Sequence, residues 1–412
     1  MNLFTKLKLQ LWQKVTLGLI LGIIFGITVP SYAALIKPIG DIFLRALKMI
    51  IGPVIFFALI SGVTSMADAS NIGKVGLKAT LAYLITTCFA VIFGLVIAFI
   101  LKPGIGVNID FGQHDRNIDT PSFDLIKFLV NIVPSNVCAS FVEFNLLQIV
   151  FFSIFTGIVL IKMGSYATPI VNFFNLSSKV LFNMIEIIIQ FSPYGAFALT
   201  SWAVATQGLD ILLSLSKLVA AITIAMIFQY FTFGLLIIIF CKVSPLPFYK
   251  KSLEYQLIAF STTSSKATLP TATKVCKEKL GISHASASFV LPLGASINMD
   301  GFAIKLSLTT VFFAQMLDVT LAWNDYLVII LMSTLGSIGG AGIVGAFLIM
   351  LPLVLSSVNL PIEGTAILAG ISRILDMMTT TINITGDTAI TMIIDNSEKQ
   401  FDKEKYYSKD NE

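Results

Sequence analysis

The chain has 412 residues, 56% of them hydrophobic and only 12% charged, with a formal net charge of +4 and a mean hydropathy of +0.88. Soluble domains carry charge on about a quarter of their residues, so this composition excludes one and defines an integral membrane protein. The small positive charge gathers in particular loops, which makes it a topology signal rather than a nucleic-acid footprint.

In chain order, apolar runs fall at about 12–29, 42–63, 77–101, 146–161, 171–199 and 215–240. Several reach the roughly 20 residues that cross a bilayer as a helix. Helices, rather than barrel strands, do the spanning. Ser31-Tyr32-Ala33 resembles a signal-peptide cleavage site, but the runs that follow make the first one an uncleaved transmembrane helix.

Lys6, Lys8 and Lys14 precede that helix, and basic residues recur at Lys74, Lys78, Lys162, Lys242 to Lys251 and Lys274 to Lys279. Residues 104–124 instead carry Asp110, Asp115, Asp119 and Asp124 against one arginine. The positive-inside rule then puts both termini in the cytoplasm, that loop outside, and the protein in the cytoplasmic membrane as a multi-pass unit. Cys88, Cys138, Cys241 and Cys276 are scattered, and His114 and His284 are isolated, so no disulfide framework or transition-metal site is readable and no cofactor is expected. Residues 396–412 mix both charge signs and read as a solvated cytoplasmic tail.

From about Leu253 the pattern breaks into shorter apolar pieces. Ser261 to Lys266, followed by Ala267-Thr268-Leu269-Pro270, is flanked by runs too short to cross, which suits a re-entrant helical hairpin with its tip at the serines. Residues 289–314 form a full-length apolar segment broken at Ser296-Ile297-Asn298-Met299-Asp300-Gly301, which reads as an unwound helix with free carbonyls. Residues 326–358 are long enough for two half-spans and carry a glycine-rich stretch over 336–345, a second hairpin tip.

The last segment, Ser372 to Asp387, places Asp376, Thr380, Asn383 and Asp387 at i, i+4, i+7 and i+11, on one helical face. Paired interrupted segments point to a secondary transporter with inverted repeats and a midplane site. Serines and glycines in membrane helices more often serve packing. The acids are harder to explain that way, because each ionised carboxylate at the bilayer centre costs about 2.5 to 3.5 kcal/mol, roughly 8 to 10 for Asp300, Asp376 and Asp387 together. Cations would compensate them.

Asn298, Asp300, Asn383, Asp387 and free carbonyls supply hard oxygens suited to sodium. Asp376 would be left free for a protonated amine, with Thr380, Asn383, Ser264 and Ser265 facing a carboxylate. A zwitterionic α-amino acid fits that set.

Ser264-Ser265-Lys266-Ala267-Thr268-Leu269-Pro270, the run from Leu291 to Gly301, the glycine-rich stretch and Asn383-Ile384-Thr385-Gly386-Asp387 resemble the glutamate transporter family, the dicarboxylate/amino acid:cation symporters. The resemblance extends over nearly the whole chain. It implies an all-α polytopic protein with eight transmembrane helices and two re-entrant hairpins. It further implies a homotrimer and an elevator mechanism, with a scaffold over about 10–70 and 122–205 and a transport domain over about 75–102 and 210–395.

Carried over, one sodium site uses the Gly294 carbonyl, Asn298, Asn383 and Asp387, and a second uses Tyr83, Thr86, Thr87, Asn298 and Asp300. A third uses backbone oxygens near Ser296, Ser337, Ile338 and Gly340. Met299, Phe302, Gly342 and Thr379 join Ser264, Ser265, Asp376, Thr380 and Asn383 around the substrate. Asp387 favours sodium, since proton-coupled relatives commonly have asparagine there.

Of three departures, the first two bear on the substrate and the third on the wiring of the local network. Thr379 stands where relatives of acidic specificity carry an arginine, Phe302 replaces a small hydroxyl residue, and Ser372 replaces an aspartate. An arginine fork cannot be exchanged for threonine without losing charge compensation, so a neutral amino acid is expected, with glutamate, aspartate or a C4-dicarboxylate carried by protons or sodium as the alternative. Lys266, Lys305 and Arg373 could supply the charge from elsewhere, or snorkel, or pair with the nearby acids. A hydrolase built on Ser264 or Ser265 would lack a nearby base, so no enzyme is expected; a channel would be told from a symporter by gradient-driven accumulation.

Overall fold

The computed structural model describes residues 11–70, 74–106, 130–143, 145–208, 210–339, 346–362, 365 and 368–408. Among the described residues every regular element is a helix. Four helical stretches, Lys74–Leu101, Gln148–Gln190, Leu213–Cys241 and His284–Met316, are long and apolar enough to cross a membrane, and Gln13–Thr28, Met49–Thr64 and Phe347–Ser357 are shorter apolar pieces.

The N-terminal part comprises α1 (Leu11–Thr28), α2 (Pro30–Ser70), α3 (Lys74–Leu101), α4 (Val137–Val142), α5 (Leu146–Met163), α6 (Thr168–Gln190) and α7 (Ser192–Gln207). The 42–63 run is only the middle of α2, which continues through Pro38 and Pro53 for 41 residues. At 1.5 Å per residue it is about 60 Å long, about twice the hydrocarbon thickness. The 171–199 run, expected as one segment, is two helices: Pro193, which has no N–H to donate, sits in the first turn of α7 just after Phe191 ends α6.

Glycines at every fourth position bring α1 onto α7. A methyl group on Gly22 or Gly26 would sit 2.7 Å from the carbonyl oxygen of Phe197 or Ser201, the small-residue packing by which membrane helices gain contact without a hydrophobic drive.

The C-terminal part comprises α8 (Asp210–Cys241), α9 (Leu246–Thr262), α10 (Ser265–Glu278), α11 (His284–Ile297), α12 (Asp300–Met316), α13 (Trp323–Gly339), α14 (Phe347–Ser357), α15 (Ala369–Ser397) and the short α16 (Lys403–Tyr407). Thr263, left-handed at φ 54°, ends α9, and the extended Ser264 caps α10 by accepting from the Ala267 amide. The outer ends of these two helices meet: Lys251 Nζ donates to the Lys279 carbonyl at 2.8 Å, and Lys279 Nζ lies 3.1 Å from Glu254. The serine-containing break is therefore at the far end of the pair.

Side chains sort inside out relative to a soluble protein. On α3, Leu77, Leu81, Ile85, Phe89 and Phe99 are exposed while Tyr83, Thr86 and Thr87 are buried. Helix α12 is buried on nearly every side, polar residues included, and packs on α3, α8, α13 and α15. Helices α1, α2, α5, α6 and α7 pack chiefly on one another, as do α3 and α8 to α15.

Candidate functional site

The expected interruption lies at Asn298 and Met299, whose extended and irregular backbones (φ −85°, ψ 111° and φ −134°, ψ 50°) separate α11 from α12. Glycines on either side let neighbours close in on it. A Cβ on Gly294 would lie 2.6 Å from the Tyr83 hydroxyl and 2.8 Å from Asp387 Oδ1, and one on Gly386 would lie 2.9 Å from Asn298 Nδ2.

Asn298 is the centre of the polar cluster. Its Nδ2 donates to Asp387 Oδ1 at 3.0 Å, and its Oδ1 accepts from Thr86 and Thr87 hydroxyls, both at 3.4 Å. Thr87 also donates to Asp300 Oδ1 at 2.8 Å, and Gln229 Nε2 donates to Asp300 Oδ2 at 2.9 Å. Asn298, Asp300 and Asp387 are each fully buried. Asp387 Oδ2 is buried with no hydrogen-bond partner. An ionised oxygen left so in a low-dielectric interior is costly unless a cation meets it.

Of the other expected cation ligands, Tyr83, Gly294 and Asn383 lie beside this cluster. The Tyr83 hydroxyl donates to the Val290 carbonyl at 3.0 Å and lies 3.4 Å from the Asp387 carbonyl, while its own carbonyl accepts from Thr86. The Gly294 carbonyl accepts the Asn298 amide at 2.7 Å. Asn383 turns to the break: its Oδ1 accepts the Gly301 amide at 2.9 Å and its Nδ2 lies 3.0 Å from Met299 Sδ. Ser296 and Ser337 bond within their own helices, to Pro292 and Thr334 carbonyls, and Ile338 packs in one apolar cluster with Leu293 and Ile297. Gly340 and Gly342 lie outside the described residues, as does most of the second hairpin tip.

Asp376 is not free, contrary to expectation. Lys305, wholly buried one and a half turns into α12, donates to Asp376 Oδ1 at 2.7 Å and to the Ser372 carbonyl at 3.3 Å. Its ammonium lies 3.7 Å from the centroid of the Phe347 ring, against which Phe302 packs edge-on at 6.5 Å. Helix packing joins Lys305 and Asp376 across 71 positions of sequence, so of the roles open to Lys305 the structure shows pairing with a nearby acid. Thr380 donates to the Asp376 carbonyl, and the Thr379 hydroxyl is buried without a partner. Ser265 is buried behind the Ser264 cap, whereas Lys266 is exposed at the helix start; the Arg373 side chain lies outside the described residues.

Sequence reasoning passed over Gln229, Phe347 and Asp395. Gln229 had a signal, a lone amide in the apolar 215–240 run. Asp395 accepts the Ser283 amide at 3.0 Å and its hydroxyl at 2.5 Å, tying the start of α11 to the end of α15. Phe347 had none, since an aromatic in an apolar half-span looks like any other.

Buried carboxylates gathered at a helix break, inside a shell of apolar outward-facing helices, define a membrane transport protein. The sequence pattern of the Sodium:dicarboxylate symporter family matches residues 11–397. The chain belongs to that family of symporters and is not an enzyme. It is 36% identical to a C4-dicarboxylate transport protein of Bacillus subtilis (strain 168), over 98% of this chain and 96% of the relative. It is 34% identical to a proton/sodium-glutamate symport protein of Bacillus caldotenax, over 96% of each chain. A C4-dicarboxylate transport protein of Rhizobium johnstonii is 32% identical over 95% of this chain and 90% of the relative. The neutral amino acid expected from Thr379 and Phe302 has no support among these relatives. The names of these relatives fit the alternative instead, glutamate or a C4-dicarboxylate.

Proposed function

We propose that the protein is a cation-coupled symporter that carries an acidic substrate, a C4-dicarboxylate or glutamate, across the cytoplasmic membrane with sodium as the coupling ion. The observation that carries this reading is Asp387: a fully buried carboxylate with one oxygen held by Asn298 and the other without a partner, beside a break in the helix ladder. A sodium ion supplies the missing charge, with Asn298 and the break at 298–301 linking it to Asn383 and Met299 on the substrate side. Thr86, Thr87 and Asp300 offer a second oxygen cluster, and the amides and hydroxyls at the start of α10 suit a carboxylate, since a helix N-terminus attracts anions.

The remaining architecture follows the same reading. The two families of helices that pack chiefly within themselves support a scaffold and a moving transport unit, the α9–α10 and α13–α14 pairs act as re-entrant hairpins, and eight helices span the bilayer with both termini cytoplasmic in a homotrimer. The purified chain in proteoliposomes should accumulate labelled succinate or glutamate when an inward sodium gradient is imposed, and not when choline replaces sodium. Accumulation driven equally well by a pH gradient alone would reassign the coupling ion; hydrolysis without accumulation would overturn the reading.

A further inference from the structure

We propose that Lys305 is a built-in amine: its ammonium occupies Asp376 in place of a substrate amino group, so the site favours dicarboxylates lacking an amine over glutamate or aspartate. This rests on the transport reading above and narrows it.

Asp376 is the carboxylate on the polar face of α15 that an amino-acid substrate would use for its ammonium. Lys305 holds it from within the protein. The ammonium has three donors, and three partners surround it: Asp376 Oδ1 at 2.7 Å, the Ser372 carbonyl at 3.3 Å and the face of Phe347 at 3.7 Å. A ring face is a favourable partner for a desolvated cation. Phe302, edge-on to Phe347, backs that ring. The lysine side chain is 0% exposed and Asp376 13%, so the pair is closed on the lysine side and reachable only on the carboxylate side.

A substrate ammonium arriving there meets a carboxylate already neutralised, and brings a second positive charge beside the first. It must also compete with a group tethered to the same site, whose effective concentration does not fall on dilution. A dicarboxylate without an amine asks nothing of Asp376. Its carboxylates can instead use Thr379, whose buried hydroxyl has no partner and lies one turn along the same helix face. Thr379 in place of arginine and lysine at 305 are then one device: the positive charge has moved from the carboxylate end of the ligand to the amine end.

The test is competition in proteoliposomes made with the full chain, reading the concentrations of unlabelled succinate and aspartate that halve sodium-driven uptake of labelled succinate. The wild type should need roughly tenfold or more aspartate than succinate, because a site built around one polar pattern rejects the ligand that disrupts it. Lys305→Met, which keeps an unbranched apolar stem and removes the charge, should cut that ratio by about tenfold as aspartate gains the vacated carboxylate. Lys305→Met combined with Asp376→Asn leaves neither member of the pair charged; whatever its uptake rate, it should lose the aspartate gain and return the ratio toward the wild-type value. A ratio unchanged in Lys305→Met, or an aspartate gain that persists in the double variant, would mean a purely structural lysine and overturn the proposal. So would a wild type that prefers aspartate. Wild-type vesicles that accumulate neither ligand would overturn the transport reading itself, which separates that failure from an error about Lys305.

Discussion

Gly294→Ala should damage sodium use out of proportion to the single methyl group it adds. The new Cβ would sit 2.6 Å from the Tyr83 hydroxyl, 2.7 Å from its Cζ and 2.8 Å from Asp387 Oδ1, where ordinary contact begins at 3.4 Å. The hydroxyl would have to retreat by about 0.8 Å or the carboxylate by about 0.6 Å, a misfit large enough to matter in an interior packed as densely as an organic crystal. Both groups are fully buried, the hydroxyl held by the Val290 carbonyl and Asp387 Oδ1 by Asn298, so neither can give way without disturbing a hydrogen bond. Overpacking of this kind costs about 1 to 3 kcal/mol, which corresponds to about 5- to 150-fold in an equilibrium constant.

The assay is the sodium concentration giving half-maximal uptake, measured beside the melting temperature of the purified protein. Gly336→Ala is the control, because its Cβ would meet nothing nearer than Leu306 and Leu353 methyl groups at 3.6 Å. That change should leave sodium dependence alone and, by the helix preference for alanine, raise stability by up to about 1 kcal/mol. Sodium dependence within about twofold of wild type in Gly294→Ala would refute the placement of the ion beside Asp387.

Asp387→Asn removes the charge that the ion would balance, and should raise half-saturating sodium at least about tenfold while leaving the folded protein no less stable in sodium-free buffer, since an unpaired buried charge has gone; an unchanged sodium titration would refute the ion-ligand role. Gln229→Leu leaves Asp300 Oδ2 without its amide donor and should lower stability by about 1 to 3 kcal/mol, read as a fall in melting temperature. Outside the membrane, the hydrogen bond from Lys78 holds the Glu398 carboxyl below its ordinary pKa. A depressed acid contributes stability above its unfolded pKa and loses it as pH falls through the folded value. The melting temperatures of wild type and Glu398→Gln should accordingly differ at neutral pH and converge in acid.

The interruption at Asn298 to Gly301 was legible because a glycine and an acid inside an apolar run admit few explanations, and the clustering of Thr86, Thr87, Asn298 and Asp300 follows from the family resemblance. What could not be read is how partners distant in sequence divide the acids among themselves. Nothing local to Asp376 announces Lys305, and nothing in the 215–240 run says that Gln229, rather than any other face of α8, meets Asp300. Helix limits failed for a related reason: hydropathy sees the apolar middle of α2 but not the ends that carry it back past Pro38 to Pro30 and on to Ser70. At Pro193, conversely, apolar character runs on through a backbone break.

The three acids that made the C-terminal half conspicuous are stabilised in three different ways, and the difference bears on coupling. Asp300 has a donor on each oxygen, from Thr87 and Gln229. Asp376 has a lysine. Asp387 alone combines full burial, an Asn298 amide on one oxygen and no partner on the other. The cost expected for three carboxylates is thus met mostly by protein groups, and the strongest remaining demand for a cation falls at a single position. That position touches Asn298, the first residue of the break, while Asn383 holds the Gly301 amide in the first turn of α12 just beyond it. An ion at Asp387 would therefore act on a segment only four residues long whose far end is fixed by the helix face that carries Asp376 and Thr380. Coupling across so short a link needs no long-range pathway, only that the break between α11 and α12 hold one shape with the ion and another without it.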